Sequence, residues 1–220
     1  MATTTRLSTR AQRVRRLADA RLYFVCEARP PAAPLDAMLA GALRGGADLI
    51  QLRDTTGDDD VIRAAAPAFR RAADEHGALF LLNDRPGLAL ELEADGVHVG
   101  QDDVSVAEAR DVMGPDALVG LSTHAPAELA AGRGADYLSV GPVWETPTKA
   151  GRPATGLDYV RHAATTAPGP FFAIGGIDET TIHQVVQAGA RRAVVVRAIR
   201  DARDPEAVAA RLRATLTERD

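Results

Sequence analysis

Eight short apolar runs, each followed by a stretch with helical spacing, limit this chain more than any other feature. The runs cover residues 21–26, 48–52, 79–82, 96–99, 118–122, 137–140, 171–174 and 193–196. Helical stretches follow at 35–43, 61–76, 85–92, 104–113, 126–131, 157–165, 180–188 and 205–216. Strands joined through a helix lie parallel. Continuous apolar runs, as opposed to alternating ones, are what a parallel sheet buries on both faces. Eight such units in 220 residues predict a (β/α)₈ TIM barrel, because a doubly wound sheet usually has fewer strands. The length suits one domain over 1–220, with the barrel proper at 21–220.

Residues 1–20 are rich in Arg and Thr and nearly free of acids, a composition shared with transit peptides. Leu17 and the arginines of 12–16 also read as an amphipathic helix running directly into the strand at Leu22. A structural N-terminal helix capping one end of the barrel is the expectation, since cleavage would leave no spacer before that strand.

Net charge is −4 and aromatic content 4%, so neither a basic surface nor stacking platforms point to nucleic acid. No apolar run approaches the roughly 20 residues that span a bilayer. The single cysteine, Cys26, excludes an intrachain disulfide framework and falls in an apolar run, as a small core residue does. A cytoplasmic protein acting on small molecules is expected. The sequence does not fix the oligomeric state, and a homo-oligomer is allowed.

In a TIM barrel the chemistry sits where strands end at their C-termini. In order, those ends carry Gln51 and Arg53, then Asn83 and Asp84, Gln101 and Asp103, and Ser122, Thr123 and His124. Next come the long loop 141–156 with Lys149, then Gly175–Gly176, then Arg197. Asp84 and Asp103 follow neighbouring strands, so their carboxylates should converge. Two converging acids need a cation between them or a shared proton. Arg53 and Lys149 on the same rim favour the cation, with phosphate oxygens completing a Mg²⁺ shell. Gly175–Gly176, with the next helix start behind them, suit a phosphate site. His76, His162 and His183 fall on helices and read as surface residues, and His98 reads as a satisfied core histidine. His124, at a strand end, is placed to carry protons. The chain lacks GxGxxG, HExxH and a nucleophile elbow, and GRPATG is not followed by the Gly-Lys of a P-loop.

Six motifs, in order, resemble the thiamine-phosphate synthase family: QLRD at 51–54, ND at 83–84, ADGVHVGQDD at 94–103, GLSTH at 120–124, ADYLSVGPVWETPTKAG at 135–151 and IGGI at 174–177. The resemblance implies a (β/α)₈ enzyme, a transferase of thiamine biosynthesis. It would join an aminopyrimidine methyl diphosphate to a thiazole phosphate with release of pyrophosphate. Carried onto this chain, it implies that Gln51, Arg53, Asn83, Ser122 and Lys149 hold the pyrimidine diphosphate. Arg53, Lys149 and Ser122 form the catalytic set, and Asp84 and Asp103 ligate Mg²⁺. Thr146, Thr148, Gly176, Val196 and Arg197 hold the thiazole phosphate.

Two departures from the family pattern stand out. Thr55 replaces the lysine usual two positions after the arginine, leaving Arg63 and Arg85 as candidates to replace the cation. Arg197 stands where many members carry a small hydroxyl residue. Two rival readings remain: a thiazole tautomerase-like isomerase on the same barrel with His124 as proton carrier, and a non-catalytic regulator that binds a phosphate ligand. The joint presence of Asp84, Asp103, Arg53 and Lys149 weighs against both.

Overall fold

The computed structural model describes residues 9–54, 58–146 and 153–218. Eight strands close into one parallel barrel in sequence order, with β1 (Leu22–Cys26) pairing both β2 (Leu49–Leu52) and β8 (Ala193–Val195). Between them lie β3 (Leu79–Asn83), β4 (Gly96–Val99), β5 (Leu118–Thr123), β6 (Tyr137–Val140) and β7 (Phe171–Ile174). The helices are α1 (Arg10–Asp19), α2 (Leu35–Arg44), α3 (Asp59–His76), α4 (Pro86–Glu91) and α5 (Val106–Met113). They continue with α6 (Pro126–Ala131), α7 (Gly156–Thr166), α8 (Ile182–Gln187), α9 (Arg197–Arg200) and α10 (Pro205–Thr217). No helix among the described residues is long and apolar enough to cross a membrane.

Strand side chains alternate between two cores. Leu22, Phe24, Ile50, Leu52, Phe80, Leu82, Val97 and Val119 face outward and are buried against the helices. Tyr23, Val25, Leu49, Leu79, Leu81, Leu118, Tyr137, Phe172 and Val194 fill the barrel interior. This two-sided burial is why the runs are apolar throughout.

The N-terminal helix caps the barrel from the side opposite the strand C-termini. Thr9 and Gln12 form a reciprocal capping box at its start. Leu17, together with Ala20, joins the interior core. Arg13 Nε meets the fully buried Asp95 carboxylate at 3.0 Å, and Arg70 Nη1 holds its other oxygen at 2.9 Å. Asp95 also accepts from the Phe80 amide at 2.9 Å, so one acid ties α1 and α3 to β3.

Helix starts differ from the sequence expectation where a side chain supplies the cap. Ser105 and Glu108 form a capping box that starts α5 at Val106, two residues later than the spacing suggests. Asp58 caps α3, so Asp59 and Asp60 are already helical. The short helix α9 was not anticipated, because the apolar run to Val196 masked its beginning.

Candidate active site

The polar residues of the upper barrel layers line a cavity of about 300 Å³ at the C-terminal ends of the strands. Gln51, Arg53, Asn83 and Ser122 line it, and so do Thr146, Gly176, Val196 and Arg197. Two of these follow from strand register: Gln51 lies two residues beyond interior Leu49, and Ser122 pairs with Ser139 on the neighbouring strand. Thr148 and Lys149, like Thr55, lie outside the described residues.

Asp84 and Asp103 are not in the cavity wall; both belong to the adjoining rim. Asn83 pairs with His98, so Asp84 follows directly at the shared end of β3 and β4. Its amide donates to the His98 carbonyl at 2.8 Å, and its φ is 63°, a left-handed backbone that costs a non-glycine residue some strain. The Asn83 side chain donates to the Asp84 carboxylate at 2.5 Å. Exposed Asp103 folds back to accept from the Gly100 amide at 2.8 Å, which returns its carboxylate to the end of β4. Among the described residues no group of three or more His, Cys, Asp or Glu side chains is placed to hold a metal. Two hard oxygen donors at one strand end nevertheless fit Mg²⁺, which commonly takes one or two protein carboxylates and fills its shell with water and phosphate oxygens.

The glycine turn differs from the expected form. Gly175 and Gly176 have φ of 102° and 66°, and a Cβ on Gly175 would lie 2.5 Å from Pro142 Cβ. The loop after β6 thus packs directly on this turn. Helix α8, however, begins only at Ile182, and the intervening turn is capped by Asp178. Asp178 Oδ1 accepts from the Thr180 amide at 2.8 Å and the Thr181 amide at 3.0 Å. Partial burial pulls this carboxyl up, but the Thr180 and Thr181 donors outweigh that and hold it below its ordinary value. The glycines therefore present loop backbone to the cavity, with no helix start directly behind them.

Charge is distributed unevenly. Arg63 is held by Glu91 and Asp60, and Arg85 by Asp59, so neither supplies a spare cation in place of Thr55. Arg53 and Arg197 both line the cavity, and neither forms an ion pair among the described residues. Two such guanidinium groups on one wall suit an anionic ligand.

The histidines divide as follows. His76 and His162 are half-buried on helices, and His183 is exposed. His98 is buried with both ring nitrogens hydrogen-bonded, as a satisfied core histidine is, but it also lines the cavity. His124 Nδ1 lies 2.5 Å from the Gly141 carbonyl, and its amide donates to Glu128 at 2.7 Å. The sequence reading missed Tyr23, Ser139, Ile174 and Asp178 as cavity residues. The signal for the first two was their place two residues from another interior strand position, Val25 and Tyr137 respectively.

Known proteins resemble this chain over most of its length. A family model described as thiamine monophosphate synthase matches residues 22–199. A thiamine-phosphate synthase of Thermobifida fusca is 50% identical over 207 residues, covering 92% of this chain and 94% of that protein. A thiamine-phosphate synthase of Gloeobacter violaceus is also 50% identical, over 86% of this chain and 55% of that longer protein, so this chain spans about half its length. The solved thiamine phosphate pyrophosphorylase from Pyrococcus furiosus superposes with a TM-score of 0.82 at 28% identity, covering 90% of this chain and 96% of that one. This chain belongs to the thiamine-phosphate synthase family.

Proposed function

We propose that the protein condenses 4-amino-2-methyl-5-(diphosphooxymethyl)pyrimidine with 4-methyl-5-(2-phosphoethyl)thiazole, giving thiamine phosphate and pyrophosphate, as a soluble enzyme of the cytoplasm. The observation that carries this reading is the pair of cavity arginines, Arg53 and Arg197, which have no carboxylate partner among the described residues and face a polar pocket whose rim carries two acids. That distribution matches two phosphorylated substrates, one of which leaves as a polyanion.

The bond changes are simple. The C–O bond to the diphosphate breaks and pyrophosphate departs with the electron pair. The pyrimidine methylene carbon, stabilised by its ring, is then attacked by the thiazole nitrogen lone pair. The nucleophile carries no proton, so no general base is required, in keeping with the absence of a nucleophile–base pair in the sequence motifs.

In this reading Arg53 and Lys149 neutralise the developing charge on the leaving group, and Asn83 and Ser122 fix its pyrimidine end. Asp84 and Asp103 would hold Mg²⁺, which when bound supplies Lewis-acid stabilisation of the diphosphate oxygens. Thr146, Thr148, Gly176, Val196 and Arg197 receive the thiazole phosphate at the β6, β7 and β8 ends. The rest is alignment of two substrates in one cavity. Mass spectrometry of the product from both substrates tests this reading. The expected product is thiamine phosphate. Recovery of a thiazole phosphate of unchanged mass but altered structure would show an isomerase instead.

A further inference from the structure

The cavity floor contains polar groups that the proposed chemistry does not use. Tyr23 and His98 are buried in the pocket lining, and buried Tyr137 behind them links the two in a continuous chain of hydrogen bonds. The Gln51 Nε2 group donates to the Tyr23 hydroxyl. Tyr23 and Tyr137 hydroxyls lie 3.1 Å apart, Tyr137 Oη lies 3.0 Å from His98 Nδ1, and His98 Nε2 lies 2.9 Å from Ser122 Oγ. The chain crosses the barrel from β2 through β1, β6 and β4 to β5. Its two ends, Gln51 and Ser122, both open on the cavity.

The rings are held firmly. Tyr137 stacks on His98 at 5.5 Å and meets Tyr23 and Phe172 edge-on at 6.0 and 5.6 Å. Gly120 makes room for it, since a Cβ there would sit 2.1 Å from Tyr137 Cζ. Burial raises both tyrosines well above their ordinary range, which keeps them as neutral hydroxyls.

We propose that this chain is a polarity relay, in which Tyr23, Tyr137 and His98 act as positioning residues that set which end of the pocket donates and which accepts. Each hydroxyl has one proton, and a neutral imidazole donates from one nitrogen only. With Gln51 donating to Tyr23, the Tyr23 proton must go to Tyr137 and the Tyr137 proton to His98 Nδ1. His98 then carries its proton on Nε2 and donates to Ser122. A phenol donating to an imidazole nitrogen is the stronger of the two possible pairings, which favours this order. Ser139 also lies 3.4 Å from Ser122 Oγ as a donor. The Ser122 proton is therefore directed to the ligand, while Gln51 turns its carbonyl oxygen away from Tyr23 to accept.

The pocket thus favours a heteroaromatic ring with an amino donor turned to Gln51 and a ring-nitrogen acceptor turned to Ser122. An oxo analogue presents the reverse pattern and requires reversal of the whole chain. The identity of this ligand rests on the synthase reading, but the proton order does not.

Two measurements test the relay. Histidine-selective ¹⁵N NMR of the full chain, with His98 assigned by its loss in His98→Gln, should show a neutral imidazole protonated on Nε2. An Nδ1–H tautomer or an imidazolium overturns the order. Tyr137→Phe keeps the ring and removes the link; it should raise KM for the pyrimidine diphosphate about tenfold while leaving KM for the thiazole phosphate within about twofold. Equal changes in both, or in neither, overturn the positioning role. Because the NMR reading needs no turnover, a wild-type protein that releases no pyrophosphate would refute the synthase reading and leave the proton order still decided by the tautomer.

Discussion

Asp103 illustrates how much a single side chain is asked to do. Its carboxylate is exposed and, among the described residues, held by the Gly100 amide, so removing it disturbs little packing. Asp103→Ala should lower Mg²⁺-dependent pyrophosphate release at least ~100-fold while leaving thiazole-phosphate binding intact, measured by steady-state kinetics and calorimetry. Undiminished activity would remove Asp103 from the metal site. Cys26 behaves in the opposite way. Burial is the main cause that pushes its thiol well above the ordinary value, so it should resist thiol reagents in the folded protein at pH 8 and react only on unfolding. Its apolar sequence neighbours already said as much. His98 was only half legible: its burial followed from its strand, but its partners Tyr137 and Ser122 come from other strands, 39 and 24 positions away. Pairings of that kind depend on barrel register, which one strand's sequence does not contain.

Among the elements, α1 is fastened by the buried Arg13–Asp95 ion pair as well as by Leu17 in the interior core. Asp95 is fully buried and shared by Arg13 and Arg70, so Asp95→Ala leaves Arg13 without its carboxylate partner and Arg70 with Asp74 alone among the described residues. A loss of about 3–5 kcal/mol is expected, read as a lower urea midpoint, with Arg13→Ala smaller because Arg70 remains. A change below 1 kcal/mol would show that hydrophobic contact by Leu17 holds the helix instead. The existence of α1 was readable from its amphipathic spacing, whereas its docking partner was not, because Asp95 sits in a run that reads only as a strand start. The turn before α8 misled in a similar way. Gly175–Gly176 marked a turn correctly, but the Asp178 cap adds several residues before the helix begins, and only the local hydrogen bonds reveal it.

The whole barrel was the most legible level, because eight two-sided apolar strands admit few architectures. Its stability should fall at both ends of the pH scale. Tyr23 and Tyr137 have folded pKa values above those of the unfolded chain, so the folded state holds more protons. That stability is complete below about pH 10 and is lost as pH rises further. Asp178 and Glu108 are shifted down, Glu108 chiefly by the Ser105 hydroxyl, so their contribution is present above about pH 4 and lost as pH falls through their lower folded values. Thermal unfolding followed across pH should therefore show a plateau between these limits; a maximum confined near pH 10 would contradict it. The central claim concerns what this barrel does with the anions its cavity is built to hold. Pyrophosphate release is the most direct measurement, with both substrates, with each omitted, and with and without Mg²⁺. Release that requires both substrates and the metal is expected. Release without the thiazole phosphate, or none with every component present, would contradict it.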